Sequence, residues 1–327
     1  MGADEASAME TKRKRIVVVG AGGRLGAALV REYADEFDVV GFNHAQLDLG
    51  RPDELRSKLG DLDFDTLINT AAQTNVDRCE TEKEEAFALN AEAPRVLAEI
   101  CRARNTRFIH ISTDYVFDGE KREPYTEQDE AIPVSVYGES KREGERRALE
   151  ANDRALIVRV SWVFGPDRPS FIDAILKKAR TEEVSAVADK WATPTYTLDL
   201  AQLLKPFLWS RRALAPEGQT EATSSQTGPG AGRLQTESLH SGILHLANDG
   251  ECSWQEYAQW ALDCCHAKGL DMKATRVGAA CLADMKNFVA KRPVYSVLAT
   301  TGYQQATGGK PRSWRDAVAE YVREHVS

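Results

Sequence analysis

Residues 15–37 read RIVVVGAGGRLGAALVREYADEF. A β-branched run, a glycine-rich turn and a segment with helical apolar spacing follow one another, which is the pattern of a buried strand entering a helix. Gly20, Gly23 and Gly26 give the spacing GxxGxxG. Bare backbone at those positions lets a pyrophosphate approach the turn amides and the positive end of the helix. Leu25 lies inside the same turn. This stretch predicts the opening βαβ unit of a dinucleotide-binding fold.

Working outward, the same rhythm repeats. DVVGF (38–42), FDTLINTAA (64–72), RFIHISTDYVF (107–117) and RALIVRVSWVFG (154–165) read as strands. PDELRSKLG (52–60), EEAFALNAEAPRVLAEICRA (84–103) and the segment from Val136 to Asn152 read as helices between them. Alternation of this kind implies an α/β fold, a Rossmann-like doubly wound parallel sheet covered on both faces. The dinucleotide-binding domain is expected over 15–165, completed by about 186–210 and 243–249, where GILHLAN supplies a last strand. A smaller C-terminal α/β substrate lobe is expected from 166–185 and 250–327, with amphipathic helices in CSWQEYAQWALDCCHAKG and SWRDAVAEYVREHV. Residues 1–14 are expected to be a disordered tail, and 216–242, rich in Gly, Ser, Thr and Gln, a flexible surface insertion.

The chain has 327 residues and a net charge of -8, which gives no reason to expect nucleic-acid binding. No window approaches the roughly 20 apolar residues of a membrane span. The six cysteines have neither CxxC spacing nor a regular framework, and no His, Cys or carboxylate cluster suggests a metal. A cytoplasmic protein with reduced thiols and a small-molecule ligand is expected, with a homodimer left open.

The second strand ends in GFNHAQLD (41–48), with Asn43 and His44 where an NAD enzyme usually places an acid for the ribose hydroxyls. That favours NADPH over NADH, because no carboxylate repels a 2′-phosphate. Arg24 stands in the glycine turn, either to meet that phosphate or as a surface arginine. Asp48 and Leu49 either edge the adenine or, in the case of Asp48, cap the helix at 52–59 as a turn aspartate. Thr70, Ala71 and Ala72 end a strand in small residues suited to a wall against ribose or nicotinamide. Asn90 is read either as a cofactor contact or as a helix residue bonding to backbone.

Tyr137 and Lys141 in VYGESKREGE (136–145) stand four apart, so a helix puts them on one face. A phenol with an ordinary pKa of about 10 needs a nearby positive charge to carry protons at neutral pH. Lys141 is expected to supply it. Thr113, at the carboxyl end of a strand and 24 residues ahead of Tyr137, is placed to bond a substrate carbonyl.

GxxGxxG, Thr113 and YxxxK together resemble the extended short-chain dehydrogenase/reductase superfamily. STDYVFDG, VYGESKREGE, RVSWVFG, TPT, HLANDGECSW and KRPVYSVL, in this order, resemble more narrowly the dTDP-4-dehydrorhamnose reductase family over about residues 15 to 325. The resemblance implies reduction of the 4-keto group of dTDP-4-dehydro-L-rhamnose by NADPH or NADH, with Thr113, Tyr137 and Lys141 catalytic. It places Trp162, Thr195 and Arg292 along a sugar-nucleotide pocket, the last as a fork on pyrophosphate. Core packing for Trp162 and surface charge for Arg292 are the plainer alternatives.

The chain departs from the family at Gln73, where tyrosine is common, and in DKWATPT (189–195), where Lys190 and Ala192 replace Gln and Gly. Lys190 is expected to contact a phosphate or a carboxylate, and Trp191 to narrow the pocket. These departures leave room for another nucleotide-linked 4-keto-6-deoxy sugar. Two further readings are a binding protein, like the regulatory subunit of methionine adenosyltransferase, and an epimerase or dehydratase of the same fold.

Overall fold

A computed structural model describes residues 13–209 and 241–327. Most of the expected tail and nearly all of the 216–242 insertion lie outside the described residues. Strands β1 (Arg15–Val19), β2 (Asp38–Phe42), β3 (Thr66–Asn69), β4 (Arg107–Thr113) and β5 (Leu156–Val160), together with Gly242–His245, form one parallel sheet. Its order is β2, β1, β3, β4, β5, Gly242–His245. The register pairs Val19 with Phe42 on one side and with Asn69 on the other. The chain leaves β1 to one side for β2 and crosses to the other for β3. A crevice therefore opens beyond the carboxyl ends of these strands, where such sheets bind ligands.

Both faces of the sheet are packed. Val17, Val19, Leu67, Phe108 and Ile157 point into one apolar layer, while Ile16, Val18, Ile68, Ile109 and Val158 point into the other. The alternation follows the two-residue period of a strand, and burial on both sides explains the apolar runs of β1 and β5. A separate core built on Phe164, Tyr196, Tyr257, Trp314 and Tyr321 joins the helices Phe171–Ala179, Trp254–Ala267 and Trp314–His325. A parallel pair, Val184–Val187 with Val277–Ala280, lies in this lobe.

Two predicted elements are broken, each for a local reason. The run 84–103 is not one helix: Lys83–Phe87 and Ala93–Ala103 flank a π turn over Ala88–Glu92. Pro94 has no N–H to give to the Asn90 carbonyl, so regular winding cannot satisfy that oxygen. Gly144 of the helix Val136–Ala151 lies against it; a Cβ there would stand 2.0 Å from the Asn90 oxygen. Likewise, the strand predicted through residue 165 ends at Val160. Trp162 has φ of 46°, a left-handed conformation that is unfavourable for a bulky residue. The chain turns there, and Val163–Phe164 pairs instead with Thr195–Tyr196.

Candidate active site

The crevice is a cleft of about 980 Å³ between the sheet and the C-terminal lobe. On its cofactor side Gly20, Gly23, Arg24, Leu25, Asn43, Leu49, Thr70, Ala71 and Ala72 line the wall. Gly20 has φ of 90°, and a Cβ on it would stand 2.7 Å from the Ala71 nitrogen. The two segments thus meet at bare backbone, leaving a smooth cradle at the start of the helix Arg24–Tyr33. The residues present fit a dinucleotide.

Thr113, Tyr137 and Lys141 line the floor of the same cleft. Tyr137 and Lys141 lie on the helix Val136–Ala151, whose first turn is capped by Ser135 accepting from the Gly138 N–H (3.3 Å). Burial pushes the Tyr137 phenol strongly up, and the neighbouring Thr113 side chain works against that push. Tyr137 also packs edge-on to Tyr115, with ring centroids 5.6 Å apart.

Lys141 is oriented differently from the expectation. Its ammonium donates to the Ile111 carbonyl (2.7 Å) and faces His110 Nε2 at 3.2 Å. Burial lowers it to about 8, with Glu145 opposing. Lys141 is thus held against β4, and what shifts the Tyr137 proton is burial first and Thr113 second. Thr113 itself donates to Asp114 Oδ1 (3.1 Å) and accepts the Tyr115 N–H (3.2 Å).

Asp114 is buried beside Thr113 in the cleft, accepting from Ser161 Oγ (3.0 Å) and Ser296 Oγ (2.6 Å) as well as from Thr113. Burial raises its pKa, with Lys190 the main opposing charge. Trp162 lines the cleft and also packs on Trp254 (5.4 Å) and Tyr257 (4.8 Å).

Comparison with known proteins bears on what this cleft handles. The family described as the RmlD substrate binding domain matches residues 14–227 and 219–327. A dTDP-4-dehydrorhamnose reductase of Aggregatibacter actinomycetemcomitans is 33% identical, covering 93% of this chain and 97% of that one. The chain belongs to the dTDP-4-dehydrorhamnose reductase family. A probable dTDP-4,6-dihydroxy-2-methyloxan-3-one 4-ketoreductase of Streptomyces antibioticus is 37% identical, covering 94% of each chain. Among solved structures, the dTDP-4-dehydrorhamnose reductase of Bacillus anthracis in complex with NADP superposes with a TM-score of 0.81 at 27% identity, covering 95% of this chain and 99% of that one.

Four residues expected at the site of a dTDP-4-dehydrorhamnose reductase do not line this cleft. Asp48 accepts the Gly50 N–H (2.9 Å) in the turn before the helix Pro52–Gly60, but it does not cap that helix, whose N-cap is Arg51 with no side-chain cap. Asn90 is fully buried: its amide accepts the Gln73 N–H (2.8 Å) and donates to the Gln73 carbonyl and to Ser140 Oγ, both at 3.0 Å. It ties the β3 loop to the Tyr137 helix. Thr195 is buried and donates to the Thr193 carbonyl (3.2 Å). Arg292 is paired with Asp77, and Phe288 lies 3.6 Å below its guanidinium. Trp191 likewise stays out of the cleft, paired with Ser253 in a short antiparallel ladder.

Arg24 lines the cleft, yet its guanidinium donates to the Val163 (3.3 Å) and Arg168 (3.2 Å) carbonyls, while Arg168 donates to the Gly22 carbonyl (2.9 Å). The two arginines fasten the glycine turn to the C-terminal lobe. Arg168, Trp254, Tyr115 and Asp114 are lining residues that sequence reasoning did not select as site residues. Only the position of Asp114 beside Thr113 offered a signal; the others reach the cleft through the tertiary fold.

Proposed function

We propose that this chain is an NAD(P)H-dependent reductase of a nucleotide-linked 4-keto-6-deoxy sugar, with dTDP-4-dehydro-L-rhamnose as substrate and dTDP-L-rhamnose as product. The observation that carries the reading is the convergence of Thr113, Tyr137 and Lys141 on the floor of one cleft, below a glycine cradle that fits a dinucleotide. The bound cofactor supplies the hydride delivered to C4. Tyr137 gives its proton to the C4 oxygen as general acid. Thr113, turning its hydroxyl from Asp114, donates to the same oxygen and stabilises the charge that develops there. Lys141 holds the ribose hydroxyls and, drawn off the Ile111 carbonyl, brings a positive charge toward the phenol.

NADPH is the preferred cofactor on the reading that Asn43 and His44 leave no carboxylate at the end of β2. The relationship to the Streptomyces ketoreductase favours one second reading, a 4-ketoreductase of a different dTDP sugar. The test is oxidation of NADPH, and separately of NADH, by purified protein with freshly generated dTDP-4-dehydro-L-rhamnose. Oxidation that requires the sugar supports the assignment. No oxidation despite tight cofactor binding rejects this substrate and directs the search to other dTDP-linked keto sugars.

A further inference from the structure

Lys190 is the fully buried cation at the reacting end of the cleft whose role neither the fold nor the expected triad explains. It is 1% exposed, it lines the cleft, and its ammonium lies 5.1 Å from the centre of the Tyr115 ring. Among the described residues it gives one hydrogen bond, to the Pro293 carbonyl at 2.6 Å. An ammonium has three donors, so two remain. A buried donor without a partner is costly, which marks a place where a ligand completes the shell.

The neighbouring charge decides the kind of ligand. Asp114 is the opposite charge that acts most strongly on Lys190, and it also lines the cleft. Three hydroxyls, of Thr113, Ser161 and Ser296, already donate to its carboxylate. A carboxylate offers about four acceptor directions, so one is left. An anionic group beside Lys190 would stand against Asp114, and like charges in so dry a site repel strongly. A neutral hydroxyl meets both demands, accepting from Lys190 while donating to Asp114.

We infer that Lys190 and Asp114 form a donor–acceptor pair that binds a sugar hydroxyl next to the keto carbon, and so select a neutral keto sugar with a free hydroxyl there. The contact expected of Lys190 with a phosphate or a carboxylate is replaced by this one. Lys190 is a specificity-determining residue, and the inference rests on the nucleotide-sugar reductase reading. The cation is lowered to about 8 by burial, with Asp114 opposing, so it is charged at neutral pH.

The test is calorimetric binding of dTDP-L-rhamnose and of dTDP, each with NADP present, to the wild-type protein, Lys190→Met and Lys190→Gln. Lys190→Met should bind dTDP-L-rhamnose about tenfold more weakly and dTDP within about twofold of wild type. Lys190→Gln, which keeps an amide donor, should recover most of the lost affinity. Equal loss for both ligands would overturn the inference in favour of a phosphate contact or a structural anchor for Pro293. Unchanged binding in both variants would also overturn it. If the wild-type protein itself binds dTDP-L-rhamnose no better than dTDP, the reductase reading fails first, and the inference with it.

Discussion

Asp77 and Arg292 meet fork to fork, Arg292 Nη2 2.6 Å from Oδ2 and Nη1 3.0 Å from Oδ1 of the carboxylate. The backbone N–H groups of Val289 (2.8 Å) and Ala290 (2.9 Å) donate to the same Oδ1. One carboxylate from the helix after β3 thus fastens a C-terminal loop more than 200 residues away in the sequence. Bidentate, charge-assisted contacts of this kind are among the stronger ones, and they leave Arg292 committed within the chain.

Removing Asp77 should therefore loosen the protein. Asp77→Ala strips a mostly buried guanidinium of its partner and frees two backbone donors, an expected loss of about 1–3 kcal/mol. Urea unfolding of the variant against wild type measures it. Arg292 holds the Asp77 carboxyl down at about 2. A carboxylate lowered in the folded state stabilises above its unfolded pKa of about 3.9, and that contribution fades as pH falls toward 2. The difference between wild type and Asp77→Ala should shrink over the same interval.

Gly144→Ala probes the seat of the helix Val136–Ala151. The added Cβ would fall 2.0 Å from the Asn90 oxygen, so the helix carrying Tyr137 and Lys141 has to shift. Overpacking of this sort costs about 1–3 kcal/mol. Thermal unfolding should register the loss, and turnover should fall even where the variant remains folded. Full activity would show that the helix position tolerates more movement than the packing implies.

The pH dependence of turnover follows from two buried lysines. Burial lowers Lys141 and Lys190 to about 8, against Glu145 and Asp114 respectively. Both are charged below that value and lose the proton above it. Lys141 acts through its charge and Lys190 donates more strongly when protonated, so kcat/KM should decline as pH rises through about 8. Lys190→Gln should keep this alkaline limb, because Lys141 still titrates.

Much of this was legible in the sequence. The β-branched run and glycine spacing of 15–37, with strand and helix alternating after it, suffice for a doubly wound sheet because they are local signals reinforced by period. That Thr113, Tyr137 and Lys141 share one cleft was legible because each stands at a recognisable strand end or helix start. Less legible were residues whose role depends on partners far along the chain. Nothing near Arg292 announces that Asp77 holds it, and Asn90 reads as an ordinary helix residue until Pro94 and Gly144 are seen to shape its π turn. The left-handed turn at Trp162 is hidden for the same reason: its apolar neighbours look like continuing strand, and the pairing that redirects them lies at Thr195. The direction of Lys141, toward Ile111 and His110, depends on packing beneath the helix that spacing alone does not convey.

Tyr137→Phe isolates the proton donor. It keeps the ring against Tyr115 and removes the hydroxyl, so cofactor binding should stay within a few-fold while turnover drops by about 10²-fold or more. Turnover close to wild type would remove Tyr137 from the chemistry.

Hydride transfer to C4 of a keto sugar on this cleft can be followed by isotope. NADPH carrying deuterium at the transferable position is incubated with the protein and dTDP-4-dehydro-L-rhamnose, and the product is examined by NMR and mass spectrometry. The expected product is dTDP-L-rhamnose with one deuterium, located at C4. Consumption of the sugar without deuterium at C4, or no reduced product while the labelled cofactor stays bound, would contradict it.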